Sequence, residues 1–191
     1  MLHMKTRGRE AESERLPLRI AGVVEESIVD GPALRFVIFV QGCPHDCPGC
    51  HNPQTHDPSG GEETDTLELL KKIKANPMLR GVTFSGGEPF MWGAELAVIA
   101  VAAKETRGLN VMVWSGYTYE ELLVKAKTEA GTEALLRAAD YLVDGRFERE
   151  RRDLNLLFRG SSNQRILDIS GYPNRREALL LDEEFKVIYS L

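Results

Sequence analysis

The sequence predicts an α/β fold, either an open sheet or a partial (open) (β/α) barrel with parallel strands. Short runs rich in Val, Ile and Phe alternate with longer runs of helical character, which is typical of βα units. A complete eight-unit barrel needs about 250 residues, whereas this chain has 191. We therefore expect a single domain over residues 17–191. It follows a charged, aperiodic tail over residues 1–16, which is too poor in apolar residues to order by itself.

The individual elements follow from local composition. Residues 18–27 and 35–42 are rich in branched and aromatic side chains, which favours two buried strands. Asp65 can cap a helix that Pro77 ends. The later elements are, in chain order, a strand at 80–89, a helix at 92–108, a strand at 109–117, a helix at 118–140 with a break near Gly131, and short strands at 141–147, 165–170 and 185–189.

Four glycine- or cysteine-bearing segments are expected at the carboxyl ends of strands. They are FVQGCPHDCPGCHNPQTHD (39–57), SGGEP (85–89), WSGY (114–117) and VDGR (143–146). In open sheets and barrels of this class, the loops at those strand ends form the ligand site. We therefore expect the four segments to meet in one place.

Composition and charge narrow the possible partners. The formal net charge of −5 and the isoelectric point near 5.5 predict that neither nucleic acid nor anionic lipid is a main partner. There is no run of about 18 apolar residues, and the start of the chain lacks the apolar region of a signal peptide. We expect a cytoplasmic protein without a membrane partner. An odd number of clustered cysteines is also typical of a reducing compartment rather than of a disulfide framework.

All three cysteines of the chain fall within eight residues, as Cys43, Cys47 and Cys50. A short loop with this C-x3-C-x2-C spacing can wrap a compact inorganic centre. A structural zinc site needs four ligands, and three histidines nearby could supply the fourth: His45, His51 and His56. An iron–sulfur cluster usually takes four cysteines, so three would leave one iron open to another ligand. From the cysteines alone both readings stand, with buried free thiols as a third.

The segment FSGGEP favours the cluster. Gly86 and Gly87 end a predicted strand and allow a ligand to approach the backbone closely. Glu88 beside them can receive an ammonium group. Alone, this tripeptide is more often a turn with a solvated carboxylate, but here it follows a loop with three thiols.

Together these residues resemble the glycyl-radical-enzyme activating branch of the radical S-adenosylmethionine (SAM) superfamily. The resemblance covers about residues 18–170. It rests on VDGPALRFVIFVQGCPHDCPGCHNP (29–53), FSGGEP (84–89), YLVDGRF (141–147) and RGSSNQRILD (159–168). The last two segments and the small size are similar to the activating proteins of anaerobic ribonucleoside-triphosphate reductases.

The resemblance implies a partial barrel of the radical SAM type and a role for each motif. The three cysteines would each bind one iron of a [4Fe-4S] cluster, and the amino and carboxylate groups of SAM would chelate the fourth iron. The implied SAM contacts are Gly86, Gly87 and Glu88 with the ammonium and methionine portion, Ser115 and Gly116 near the ribose, and Asp144 and Arg146 near the carboxylate or a cation. Gly49 stands where the superfamily often has an aromatic residue or His beside adenine, a contact that His51 or backbone would replace.

The implied activity is reductive cleavage of SAM and removal of a hydrogen atom from a glycine of a partner protein. That partner would be the large subunit of an anaerobic ribonucleoside-triphosphate reductase, with an electron donor such as flavodoxin. Residues 146–152 and 158–165 are either solvated loops or docking surfaces. Two alternatives keep the radical chemistry, with another glycyl radical enzyme of the pyruvate formate-lyase type or a small molecule as the target. A third is a non-enzymatic zinc-binding interaction module.

Overall fold

A computed structural model of the protein describes residues 14–175 and 178–181. Along these residues the strands and helices are β1 (Pro17–Ser27), β2 (Arg35–Val40), β3 (Glu62–Asp65), α1 (Thr66–Ala75), β4 (Gly81–Gly86), α2 (Gly93–Arg107), β5 (Asn110–Trp114), α3 (Tyr119–Lys125), α4 (Ala130–Ala138), β6 (Tyr141–Asp144), β7 (Arg165–Asp168) and β8 (Leu179–Leu180). Short 3-10 helices lie at Pro53–Thr55, Pro89–Trp92 and Arg149–Arg151.

The strands of the described residues form one open sheet in the order β3-β1-β2-β4-β5-β6-β7-β8. Its centre, β2-β4-β5-β6, is parallel. Both flanks are antiparallel. The α/β class and the open, partly parallel architecture predicted from the sequence are confirmed. The short edge strands β3 and β8 were not predicted, because four polar residues and two leucines carry no strand pattern of their own.

Helices α1, α2 and α4 pack together on the sheet and enclose its main core. Ile38 of β2, Phe84 of β4 and Leu96 of α2 are each fully buried in this core. Burial of one such side chain contributes about 1.5–3 kcal/mol. The parallel strands are therefore fixed from one face, which leaves the loops at their carboxyl ends available for a site.

Two predicted helix ends are confirmed by their caps. The Asp65 side chain accepts a hydrogen bond from the Glu68 amide at 3.0 Å and begins α1. Gly108 ends α2 in the left-handed conformation, with φ of 63°.

The predicted helix break near Gly131 is confirmed, but Gly131 itself does not form it. The break falls at residues 126–129, and Gly131 lies inside α4. A Cβ on Gly93 would lie 2.5 Å from the Gly131 carbonyl oxygen. The two glycines therefore allow α2 and α4 to approach closely, and the sequence alone could not distinguish that role from a break.

The ends of the chain limit what can be compared with the predictions. Residues 1–13 of the predicted tail and the predicted strand at 185–189 lie outside the described residues. Leu16 donates its amide to Thr66 Oγ1 at 3.0 Å, just ahead of β1. In the described part of the chain, no helix has both the length and the apolar character that a membrane span requires.

Candidate cofactor site at the carboxyl ends of the parallel strands

Four loops meet at one edge of the sheet because β2, β4, β5 and β6 are parallel. They follow these strands at residues 41–61, 87–92, 115–118 and 145–164. The prediction that the cysteine loop, SGGEP, WSGY and VDGR converge is thereby confirmed. A single cavity of about 720 Å³ opens among them.

The cysteine loop is shaped by its own backbone. Gly42 donates its amide to Thr55 at 2.8 Å and Cys43 donates to His56 at 3.2 Å, so the two ends of the loop are tied together. Cys50 donates to the Cys47 carbonyl at 3.0 Å, which makes a tight turn between these two cysteines. These bonds close the loop at its ends without a disulfide, and all three thiols are free.

The three cysteines are partly buried and line the cavity together. Burial raises the pKa of the Cys43 thiol and the pKa of the Cys47 thiol above their ordinary values. These thiols are protonated at neutral pH in the free protein, and binding a metal would release their protons.

Eight of the twelve predicted site residues line this cavity: Cys43, Cys47, Cys50, His51, Gly86, Gly87, Ser115 and Gly116. The other four, Gly49, Glu88, Asp144 and Arg146, are close by but do not line it.

Glu88 is fully buried, and its carboxylate is held by other parts of the protein. It accepts hydrogen bonds from the amide of Phe90, the hydroxyl of Ser115, the amide of Gly116 and the ring of His45, at distances of 2.9–3.1 Å. The expectation that this carboxylate receives the ammonium of SAM stays a prediction. In the structure the carboxylate instead fixes the loop that follows β5.

Asp144 and Arg146 both belong to the VDGR segment, but one side chain is buried and the other is exposed. Asp144 is 1% exposed and accepts two hydrogen bonds from Arg165, at 3.0 and 2.5 Å, and one from the Tyr119 amide at 2.7 Å. Arg146 is exposed and donates to His45 Nδ1 at 3.2 Å. Both side chains link strand ends, and their predicted contacts with SAM or a cation stay predictions.

Gly49 lies beside Phe147 rather than on the cavity wall. A Cβ at this position would be 3.6 Å from the Phe147 ring. His51 packs against the same ring, with centroids 5.1 Å apart and planes tilted by 45°. Phe147 thus supplies an aromatic surface beside the last cysteine, which sequence reasoning missed because the residue is distant in the chain.

Other lining residues were also missed from the sequence. Phe39 and Ser85 lie within strands, where a side chain that faces a cavity has the same pattern as one that faces the core. Trp114, the last residue of β5, also lines the cavity, and its indole donates to the Phe158 carbonyl at 3.0 Å.

The loop at 158–165 borders the same cavity. Gln164 accepts the amides of Gly160 and Ser161 at 2.9 and 3.2 Å, and it donates to the Gly145 carbonyl at 2.9 Å. This side chain therefore attaches the loop to the end of β6.

The donor set fits an iron–sulfur cluster with one open iron. Every cysteine of the chain contributes, each is free, and each faces the same cavity. His45 is not available as a fourth metal ligand, because both of its ring nitrogens contact protein groups. Over residues 14–175 and 178–181, no three or more His, Cys, Asp or Glu side chains are grouped to hold a single metal ion.

Comparison with known proteins gives the family. The anaerobic ribonucleoside-triphosphate reductase-activating protein of Vibrio cholerae is 37% identical over 147 residues, which is 73% of this chain and 90% of that protein. This chain belongs to the anaerobic ribonucleoside-triphosphate reductase-activating protein family. Residues 29–167 of this family member also match the model of a 4Fe-4S single cluster domain.

Two further relatives cover less of the chain. The pyruvate formate-lyase-activating enzyme of Clostridium pasteurianum is 40% identical over 114 residues, which is 55% of this activating protein and 48% of the relative. Among solved structures, QueE from Escherichia coli matches 53% of each chain with 18% identity and a TM-score of 0.42. As a member of its family, the chain is a radical SAM enzyme whose cofactors are a [4Fe-4S] cluster and SAM.

Proposed function

We propose that this enzyme generates a glycyl radical on the large subunit of an anaerobic ribonucleoside-triphosphate reductase. The observation that carries the proposal is one cavity lined by all three thiols, by the glycines after β4 and by the Ser115–Gly116 loop. The reductase as target is supported by relatives of that name that the chain matches over 90% of their length.

Each group of lining residues has a distinct task in this proposal. Cys43, Cys47 and Cys50 would hold the cluster. A cluster held there would supply the one-electron reductive cleavage of SAM, the chemistry that the protein itself cannot provide. Gly86 and Gly87 line the cavity, and the methionine portion of SAM would lie beside them.

The adenosine portion of SAM would lie between two walls. Ser115 and Gly116 form one wall, and the Glu88 carboxylate fixes both of them through hydrogen bonds. His51 and Phe147 form the other wall and offer ring surfaces to adenine. The aromatic walls also exclude water from the reacting centre, which protects a radical from side reactions.

Exposed apolar side chains at the cavity mouth support a macromolecular substrate. Val29 and Leu154 both line the cavity, yet they are 73% and 82% exposed. They come from two loops that are distant in the chain, one before β2 and one before β7. A glycine-bearing segment of the reductase would cover them on its way to the cavity.

Arginine side chains beside the cysteine loop support an acidic protein as the electron donor. Arg149 lies against Gly49 of the cysteine loop, 3.5 Å from the position of a Cβ there. Arg151 and Arg152 are exposed next to it. An acidic one-electron carrier such as flavodoxin could dock on these arginines close to the cluster. We place the enzyme in the cytoplasm, where three free thiols stay reduced.

The experiment that tests this function uses the whole chain. It is loaded anaerobically with ferrous iron and sulfide, reduced with dithionite and mixed with SAM. We expect 5′-deoxyadenosine in solution and a glycyl radical signal on the anaerobic reductase. Cleavage of SAM with no signal on that reductase would point to a pyruvate formate-lyase-type enzyme or a small molecule. Stoichiometric zinc, no visible absorption and no cleavage product would point to the zinc-binding module.

A further inference from the structure

His45 lies between Cys43 and Cys47, and its ring is almost fully buried. The side chain is 4% exposed. Its Nδ1 is 3.2 Å from Arg146 Nε, and its Nε2 is 2.9 Å from Glu88 Oε2. Because a guanidinium can only donate, Nδ1 accepts and Nε2 carries the proton that is donated to Glu88. The hydrogen bonds thus fix the tautomer and the orientation of the ring.

Glu88 joins this ring to the neighbouring strand ends. Its Oε1 accepts from the Phe90 amide, directly after β4, and its Oε2 accepts from the Gly116 amide, directly after β5. Arg146, on the far side of the His45 ring, follows β6. The hydrogen-bonded chain therefore connects the cysteine loop to the ends of three parallel strands.

The ring also fits a slot that only glycine leaves open. A Cβ on Gly116 would lie 2.3 Å from Cδ2 of His45. The Tyr117 ring contacts the imidazole edge-on, with centroids 4.4 Å apart. Side-chain packing and hydrogen bonding thus fix the same position of the cysteine loop.

We propose that His45 and Glu88 form a clasp that holds the cysteine loop in its binding shape before a cluster is present. This inference rests on the proposed function only in that the three thiols bind a cluster. Ordering a loop costs conformational entropy, so a loop already fixed by the clasp retains a cluster better than a loose one. Glu88 is then a positioning residue, which acts on the cluster through His45 rather than by contact with SAM.

The test measures cluster retention in the absence of SAM and of any reductase. If the Glu88 carboxylate served only to bind SAM, its substitution would leave cluster retention unchanged. The full chain and its His45→Ala, Glu88→Gln and His45→Gln variants are loaded with ferrous iron and sulfide. Iron and sulfide per chain are determined, and the loss of visible absorption to a chelator is followed. Far-ultraviolet circular dichroism of each variant before loading checks that it is folded.

We expect His45→Ala and Glu88→Gln to lose the cluster faster by about tenfold, the factor for one hydrogen bond to a charged group. His45→Gln should recover most of the retention, since its amide can donate to Glu88 and its carbonyl can accept from Arg146. Asp46→Asn is the matched control. Asp46 is in the same loop but is 92% exposed, and its contact with His56 Nδ1 at 3.1 Å is one that the amide oxygen of Asn can keep. Asn also tolerates the φ of 44° at this position.

Gly116→Ala, made in the unchanged chain and in the His45→Ala chain, tests the clasp even if one of the other variants is unstable. Gly116→Ala should speed cluster loss because it displaces the His45 ring. In the His45→Ala background the slot is empty, so the same change should add little. Additive effects would overturn the clasp, as would His45→Ala retaining its cluster like the unchanged chain or His45→Gln behaving like His45→Ala. If the unchanged chain keeps its cluster but makes no radical on the reductase, the proposed function is contradicted. The clasp is not affected by that result.

Discussion

Gly87→Ala should be among the most damaging single-methyl additions near the site. An added Cβ would lie 2.1 Å from the Gly42 carbonyl oxygen and 3.1 Å from the Val40 carbonyl oxygen. Both are backbone atoms at the start of the cysteine loop, so neither can rotate away. Ordinary contact begins near 3.4 Å. The loop after β4 and the cysteine loop would therefore have to separate by more than an ångström.

The loss of stability can be estimated from the two backbone hydrogen bonds that this separation would break. Gly87 donates its amide to Val40 at 2.9 Å, and Glu88 donates its amide to Gly42 at 2.8 Å. Loss of each bond costs about 1 kcal/mol, and forced movement of packed groups costs about 1–3 kcal/mol more. We expect the free energy of unfolding to fall by about 3–5 kcal/mol, a large part of the stability of a typical domain.

Urea unfolding of the cluster-free chain measures this effect, with Gly108→Ala as the control. Gly108 is left-handed, with φ of +63°, and has no atom within 4 Å of an added Cβ. The free energy of unfolding of this control should fall by only about 1–2 kcal/mol, the cost of placing a side chain in the left-handed conformation. If Gly87→Ala lowers the free energy of unfolding no more than Gly108→Ala does, the result would contradict the close approach of the two loops.

Three further predictions concern the thiols and the ion pairs. Cys47→Ala should abolish cluster binding and SAM cleavage in a chain that still folds, measured by iron content and 5′-deoxyadenosine; normal turnover would refute the ligand assignment. Asp144→Asn should lower the free energy of unfolding by about 2 kcal/mol, because it removes a buried charge that accepts from Arg165; an unchanged urea midpoint would contradict this. The hydrogen bond from Arg165 holds the pKa of the Glu120 carboxyl below its usual value. The stability that this ion pair contributes is therefore fully present above the ordinary carboxyl pKa and is lost as the pH falls through the lower folded-state pKa. Glu120→Gln should therefore cost less than about 1 kcal/mol at neutral pH, because the pair is exposed, and nothing in acid; an equal cost at both pH values would exclude the ion pair as its cause.

Local composition was sufficient for most of the fold. Apolar runs predicted β2, β4, β5 and β6, and a capping aspartate and a closing glycine predicted the ends of α1 and α2. The predictions failed where a residue serves a distant neighbour. Gly131 has the sequence pattern of a helix break, but it lies in α4 where Gly93 of α2 approaches it. The edge strands β3 and β8 exist only because β1 and β7 pair with them.

The sequence by itself determined which thiols lie together, because the spacing of Cys43, Cys47 and Cys50 is a local property that a short loop carries with it. It also determined which four loops meet, since parallel strands bring their carboxyl ends to one edge. Only the tertiary structure decided which polar side chains face the cavity. Glu88 and Asp144 sit in loops beside the site, yet their carboxylates are buried against His45 and Arg165. A buried carboxylate needs hydrogen-bond donors around it, and in this fold most of those donors come from segments that are distant in the chain.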